Sequence, residues 1–193
     1  ADLAARRAAG QPTNDEAASA ARVLENIILG DNGKLPERWS PTARTAAISA
    51  ADVRLQFTEN GFSAAEGVLT AALHAGGDAP AEWQSTARSL LVVALAGQGK
   101  SGNAQAMLES MSKLSEQSQA AVRTQLAPLQ IATINMLEVN LDALSAAEKA
   151  GLRKLKAAAF AVAGRRAEAL AMYAELAKAN SRDGQIQQEY ARI

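Results

Sequence analysis

Ala163-Gly164-Arg165-Arg166-Ala167-Glu168-Ala169-Leu170-Ala171-Met172-Tyr173-Ala174-Glu175-Leu176 is the stretch that decides the fold. After the glycine it is built from strong helix formers, with no proline and no β-branched residue to interrupt them. Ala169, Tyr173 and Leu176 recur at helical spacing, which gives the segment one apolar face. Upstream, residues 146–163 read the same way, with Ala157 and Phe160 on a common face. Two helices, 146–163 and 166–179, joined through Gly164 have a link so short that they must fold back as an antiparallel hairpin.

The same reading extends outward. About a quarter of the 193 residues are alanine, the best helix former and a small one. Val, Ile and Thr never cluster into runs of period two, so no strand is expected and the fold is all-α. Helix starts are marked by Thr13-x-x-Glu16, Ser63-x-x-Glu66 and Ser145-x-x-Glu148, each a capping box, and by Ser40-Pro41. Stops stand at Gly30-Asp31-Asn32-Gly33, Asn60-Gly61, Gly76-Gly77-Asp78 and Asp183-Gly184. These signals predict helices over 15–29, 41–58, 63–75, 80–97, 102–114, 117–139, 146–163, 166–179 and 184–193, with a short one near 2–9. Pro128 falls inside 117–139 and must either kink that helix or split it in two.

The chain also repeats itself. Pro36-Glu37-Arg38-Trp39-Ser40-Pro41-Thr42-Ala43-Arg44 matches Pro80-Ala81-Glu82-Trp83-Gln84-Ser85-Thr86-Ala87-Arg88 at Pro, Trp and Thr-Ala-Arg, offset by about 44 residues, within the range of helical arrays. Residues 36–75 and 80–114 read as two copies of one unit, and 117–179 as a third. Residues 1–35 carry N-terminal helices and 184–193 begin a further one, all within a single repeat domain over 1–193. The repeated placement of Trp39 and Trp83 before matching helices points to packing between units rather than to ligand binding.

Ala157, Phe160, Gly164, Ala169, Tyr173 and Leu176 stand at the spacings of the tetratricopeptide signature, and the chain resembles a degenerate member of that repeat family. Val92, Leu95, Gly99, Ala104, Leu108 and Met111 fill the same places more loosely. The physical logic is that Ala104 and Ala169 let one helix approach its partner, and Leu108 and Tyr173 fill the space one turn later. In 36–75 the corresponding Ala65 and Leu69 fall one position early, and 117–139 does not match. The offset also exceeds the family's period of about 34 residues. The resemblance implies a right-handed α-solenoid of antiparallel hairpins, with a concave face made by the first helix of each pair. It implies a scaffold that binds a protein or peptide there. Ser89, Val93 and Ala96 on one unit, and Lys154, Ala158 and Ala161 on another, would line that groove. The Lys/Asn clamp used by family members that hold acidic chaperone tails is missing, since Lys154 is followed by Ala158, and Ser89 by Val93.

One motif competes with this reading. Ala94-Leu95-Ala96-Gly97-Gln98-Gly99-Lys100-Ser101 fits a relaxed phosphate loop, in which backbone amides and Lys100 hold phosphates and Ser101 holds Mg²⁺. Gly99, Lys100 and Ser101 would be the nucleotide-binding residues of that alternative. It requires a strand at 90–93, whereas Leu91, Ala94 and Leu95 continue a helical face, and Val139-Asn140-Leu141-Asp142 is a poor metal-binding strand.

Little else suggests chemistry. His74 is the only histidine and reads as a helix-end residue. There is no cysteine, so no thiolate ligand or nucleophile. Carboxylates are dispersed, with no acid–base pair and no metal cluster. No enzyme, cofactor or metal is therefore expected. Lys149, Arg153 and Lys156 form a basic stripe, with Lys154, Arg165 and Arg166 nearby, that reads either as a solvated face or as a patch for an acidic partner segment. Twenty basic and twenty acidic residues argue against nucleic acid and against a polybasic membrane anchor. The longest apolar run, 90–97, is far too short to span a bilayer, so a soluble protein is expected, its compartment undetermined. The start at Ala1-Asp2 without Met, and the end inside a helix-like stretch, Gln185 to Ile193, suggest a piece of a longer protein whose open ends allow self-association. A structural spacer within that longer protein is the third reading.

Overall fold

The computed structural model describes residues 14–29, 39–58, 61–76, 78–138, 145–179 and 183–193. Among them every regular element is a helix: α1 Asn14–Leu29, α2 Pro41–Phe57, α3 Gly61–Ala75, α4 Ala81–Gly97, α5 Ser101–Gln117, α6 Ala120–Glu138, α7 Ala146–Val162, α8 Arg166–Ala179 and α9 Gly184–Arg192. The expected helix near 2–9, the Thr13 cap, the Gly30–Gly33 stop and the 139–142 segment lie outside the described residues.

Local chemistry explains the ends. Ser40 caps α2, its hydroxyl accepting from the Ala43 amide at 3.1 Å, with Pro41 in the first turn. Asp183 caps α9 by accepting from the Gln185 and Ile186 amides. Ser63 is not a cap, because α3 begins two residues earlier, at Gly61. Pro128 lies within one continuous helical span, 120–138, and is exposed, so the missing amide falls on the outer face.

The chain forms two compact units, divided between Lys100 and Ser101. In the first, α2 packs against α1, α3 and α4, and α3 against α4. It does so through an alanine face, Ala43, Ala46, Ala47, Ala50 and Ala51, all buried. Such small side chains let three neighbours approach one helix closely. The volume they leave is filled by larger groups: Trp39 sits with Ile28 and Ala72, and Trp83 packs on the same cluster. The Trp83 indole also donates to the Arg44 carbonyl at 3.0 Å, so both tryptophans serve packing. Arg54 binds Glu25 through two hydrogen bonds and ties α2 to α1.

Two glycines of α3 carry opposite expectations. A Cβ on Gly61 would lie 2.1 Å from the Arg54 carbonyl oxygen, a backbone clash that only moving α2 or α3 relieves. A Cβ on Gly67 would meet nothing within 4 Å. Gly61→Ala is therefore expected to destabilise by about 1–3 kcal/mol through overpacking. Gly67→Ala should stabilise by about 0.5–1 kcal/mol, the helix-interior cost of glycine relative to alanine. Urea unfolding followed by tryptophan emission checks both, and a shared sign would refute the assignment.

In the second unit α6 packs on α5, α7 on α6, α8 on α7 and α9 on α8, and α5 also meets α7. Ala157, Tyr173, Leu176 and Ile186 form one cluster of its core, and Ile131, Ala159, Phe160 and Ala169 another. The three-residue link 163–165 turns α7 back along α8. Gly164 there has φ of +73°, where a Cβ is strained. Its amide bonds the Ala161 carbonyl and the next amide, Arg165, bonds the Phe160 carbonyl. Gly99, also at +73°, ends α4 in the same way, with its amide on Ala96 and that of Lys100 on Leu95. Both are the two-bond closure that satisfies the last carbonyls of a helix.

Candidate functional site

The residues at 94–101 do not form a phosphate loop. Residues 90–93 lie inside α4 rather than in a strand. The amides of Gln98, Gly99 and Lys100 are already bonded to the carbonyls of Leu95 and Ala96, so none is free for a phosphate. The Lys100 ammonium is held by Glu66 at 2.7 and 2.9 Å, and Gln98 donates to the same carboxylate. Those hydrogen bonds, Lys100 first, hold the Glu66 carboxyl below its ordinary range. The arrangement fastens the turn after α4 onto α3.

The expected groove residues are scattered. Ser89 is buried in α4, and Val93 and Ala96 are half-buried there. Lys154, Ala158 and Ala161 belong to α7, in the other unit. Lys154 is engaged by the terminal helix α9, donating to the Gln185 side chain at 2.7 Å. Ala161 packs onto the cluster around Phe160, and only Ala158 stands fully open. Ile186 of α9 is buried against Ala157 and Tyr173, so the chain's own last helix covers part of the α7–α8 pair.

The basic stripe is likewise divided by its partners. Lys156 is paired with Glu138. Arg165 is paired with Glu168 and stacks over the Phe160 ring, 4.4 Å from its centre. Arg166 is exposed. Lys149 and Arg153 remain, with no counter-ion among the described residues. They sit one turn apart on α7, and Leu152 and Ala159 on the flank of that helix are buried in the core.

Beside them lies an open cleft of about 320 Å³. Ala146, Lys149, Ala150 and Arg153 of α7 make one wall. Met172, Glu175, Leu176 and Ala179 of α8 make the other, and Glu138 closes the α6 end. The helical pattern explains this composition: Ala169, Tyr173 and Leu176 face inward on α8, which leaves Met172 and Glu175 on the flank toward the cleft. Met172, Glu175 and Glu138 carried no separate mark in the sequence, since only the register of α7 against α8 brings them beside Lys149. A second cleft, about 380 Å³, lies in the first unit between Ile28, Leu29, Ala64, Gly67 and Val68. Its charged residues, Glu25 and Arg54, satisfy each other, whereas Lys149 and Arg153 have no counter-ion among the described residues. That difference makes the second-unit cleft the better candidate.

No group of three or more His, Cys, Asp or Glu side chains among the described residues could hold a metal, and none of the described helices is long and apolar enough to cross a membrane. Comparison with family models, with curated proteins and with solved structures gives no match.

Proposed function

We propose that this protein is a non-catalytic interaction module, a right-handed tetratricopeptide-like stack of hairpins that docks a peptide or helical segment of a partner protein. The observation that carries this reading is the open cleft between α7 and α8, where Lys149 and Arg153 have no counter-ion among the described residues and face a wall that includes Met172. Its lining offers no nucleophile with an adjacent base, so it suits binding rather than turnover. The repeat reading is supported by burial. Ala157, Phe160, Ala169, Tyr173 and Leu176 are all buried, and so are Val92, Leu95, Ala104, Leu108 and Met111. It is also supported by the matching Gly99 and Gly164 turns, and by contacts that skip one helix, α2 to α4 and α5 to α7, as successive repeats make.

Selection of a displayed random-peptide library on the immobilised protein tests the reading. Peptides with a shared motif should be enriched, and their binding should weaken in Arg153→Glu. Enrichment no better than on an unrelated helical protein would refute it. A thermal-shift titration with Mg-ATP and Mg-GTP is expected to show no change. A stabilisation of about 2.7 kcal/mol at roughly 100 times the dissociation constant, lost in Lys100→Ala, would favour nucleotide binding instead.

A further inference from the structure

We infer that the segment recognised by the α7–α8 cleft is an acidic amphipathic helix, which sets two carboxylates against Lys149 and Arg153 and an apolar side chain against Met172 and Leu176. The inference rests on the interaction-module reading and specifies the chemistry of its partner. Lys149 and Arg153 are four residues apart on one helix, hence about 6 Å apart along its axis. A partner helix with acidic residues on successive turns repeats at the same rise, so both charge pairs form at once. Arg153 is exposed and presents a planar fork that suits a carboxylate; Lys149 is half-buried and lines the same cleft. Glu138 also lines the cleft, but Lys156 holds it, so it does not neutralise the pair.

The far wall decides between ligand classes. Glu175 has no counter-ion among the described residues and faces the same space. A ligand charged all along its length, such as a nucleic acid, would meet its repulsion. An amphipathic helix does not, because it turns its acids toward α7 and its apolar side toward Met172 and Leu176. Met172 suits this role, since its unbranched thioether adapts to varied apolar side chains. The chain's balance of twenty basic and twenty acidic residues also gives nucleic acid no general attraction.

The test is a titration of methionine-methyl-labelled protein with an acetylated helical peptide of Glu-Ala-Leu-Ala repeats, read at the Met172 signal and assigned with Met172→Leu. A saturable shift is expected. Arg153→Glu and Lys149→Glu should each weaken binding about tenfold, as loss of a charge-assisted contact does. Glu175→Lys should tighten it, a gain that a merely structural role for Glu175 would not produce. Circular dichroism confirms that each variant is folded. If Gln-Ala-Leu-Ala and Lys-Ala-Leu-Ala peptides move Met172 as strongly, acidic recognition is wrong while the module reading survives. If a single-stranded oligonucleotide moves it where the acidic peptide does not, the partner class is wrong. If no peptide moves it, both readings fall together.

Discussion

Replacing Tyr173 with alanine is expected to lower the stability of the second unit by about 3–5 kcal/mol, the range for truncating a buried aromatic side chain. Among the described residues Tyr173 is the largest of the fully buried side chains. It packs with the small Ala157 of α7 and with Leu176 of α8, and Ile186 of α9 rests in the same cluster. Those neighbours cannot expand, so the cavity persists unless a helix shifts. Domains of this size hold only about 5–15 kcal/mol in all, so one truncation removes a large share. Both tryptophans lie in the first unit and would miss the effect. Far-ultraviolet circular dichroism in urea is the proper readout, with a lower midpoint at unchanged slope. Tyr173→Phe keeps the ring and should cost far less. Equal losses in the two variants would show that the hydroxyl, not the packing, matters.

The same side chain sets an alkaline limit. Burial, with a smaller contribution from Glu189, raises the Tyr173 phenol above its ordinary 10.0. The unfolded chain gives up that proton at the ordinary value, so the stability linked to it is complete below about pH 10 and is lost as pH rises through the raised value. In a Tyr190→Phe background, Tyr173 is the one tyrosine left, and its phenolate absorbance should appear only beyond that point. Ionisation at the ordinary value would contradict its burial.

The helices were legible because their signals are local. Alanine content, caps and glycine stops act within a turn or two, and every described helix begins and ends within three residues of its expected limits. One displaced start has a tertiary cause. α3 starts at Gly61 because only a residue without a side chain fits against the Arg54 carbonyl, and Glu66 turns to Lys100 rather than back to Ser63. The unit boundary left no mark, since Gly99 at the boundary and Gly164 inside the second unit close their helices with the same bonds. The candidate site was half legible. Lys149 and Arg153 stood out by spacing, but which cations keep no counter-ion depends on Glu138, Glu168 and Gln185, residues 15 or more positions from their partners except at Arg165.

The first unit should lose about 3–5 kcal/mol when Trp39 becomes alanine. The indole is 3% exposed and packs with Ile28, Ala43, Ala46, Ala47 and Ala72. Here the alanine face of α2 makes the loss severe. Small residues bring the helices together, and the large indole supplies apolar area that the alanines around it lack. No alanine neighbour has a side chain that can swing into the space. Trp39→Phe gives the contrast. The indole N–H makes no hydrogen bond to any described residue, so its removal gives up little while the phenyl ring keeps most of the area. Phenylalanine should therefore recover most of what alanine loses. Trp83 stays as the fluorescent reporter in both variants. A Phe variant as unstable as the Ala variant would mean that the N–H, or the full width of the indole, is needed, and that the alanine face is not held open by apolar volume alone.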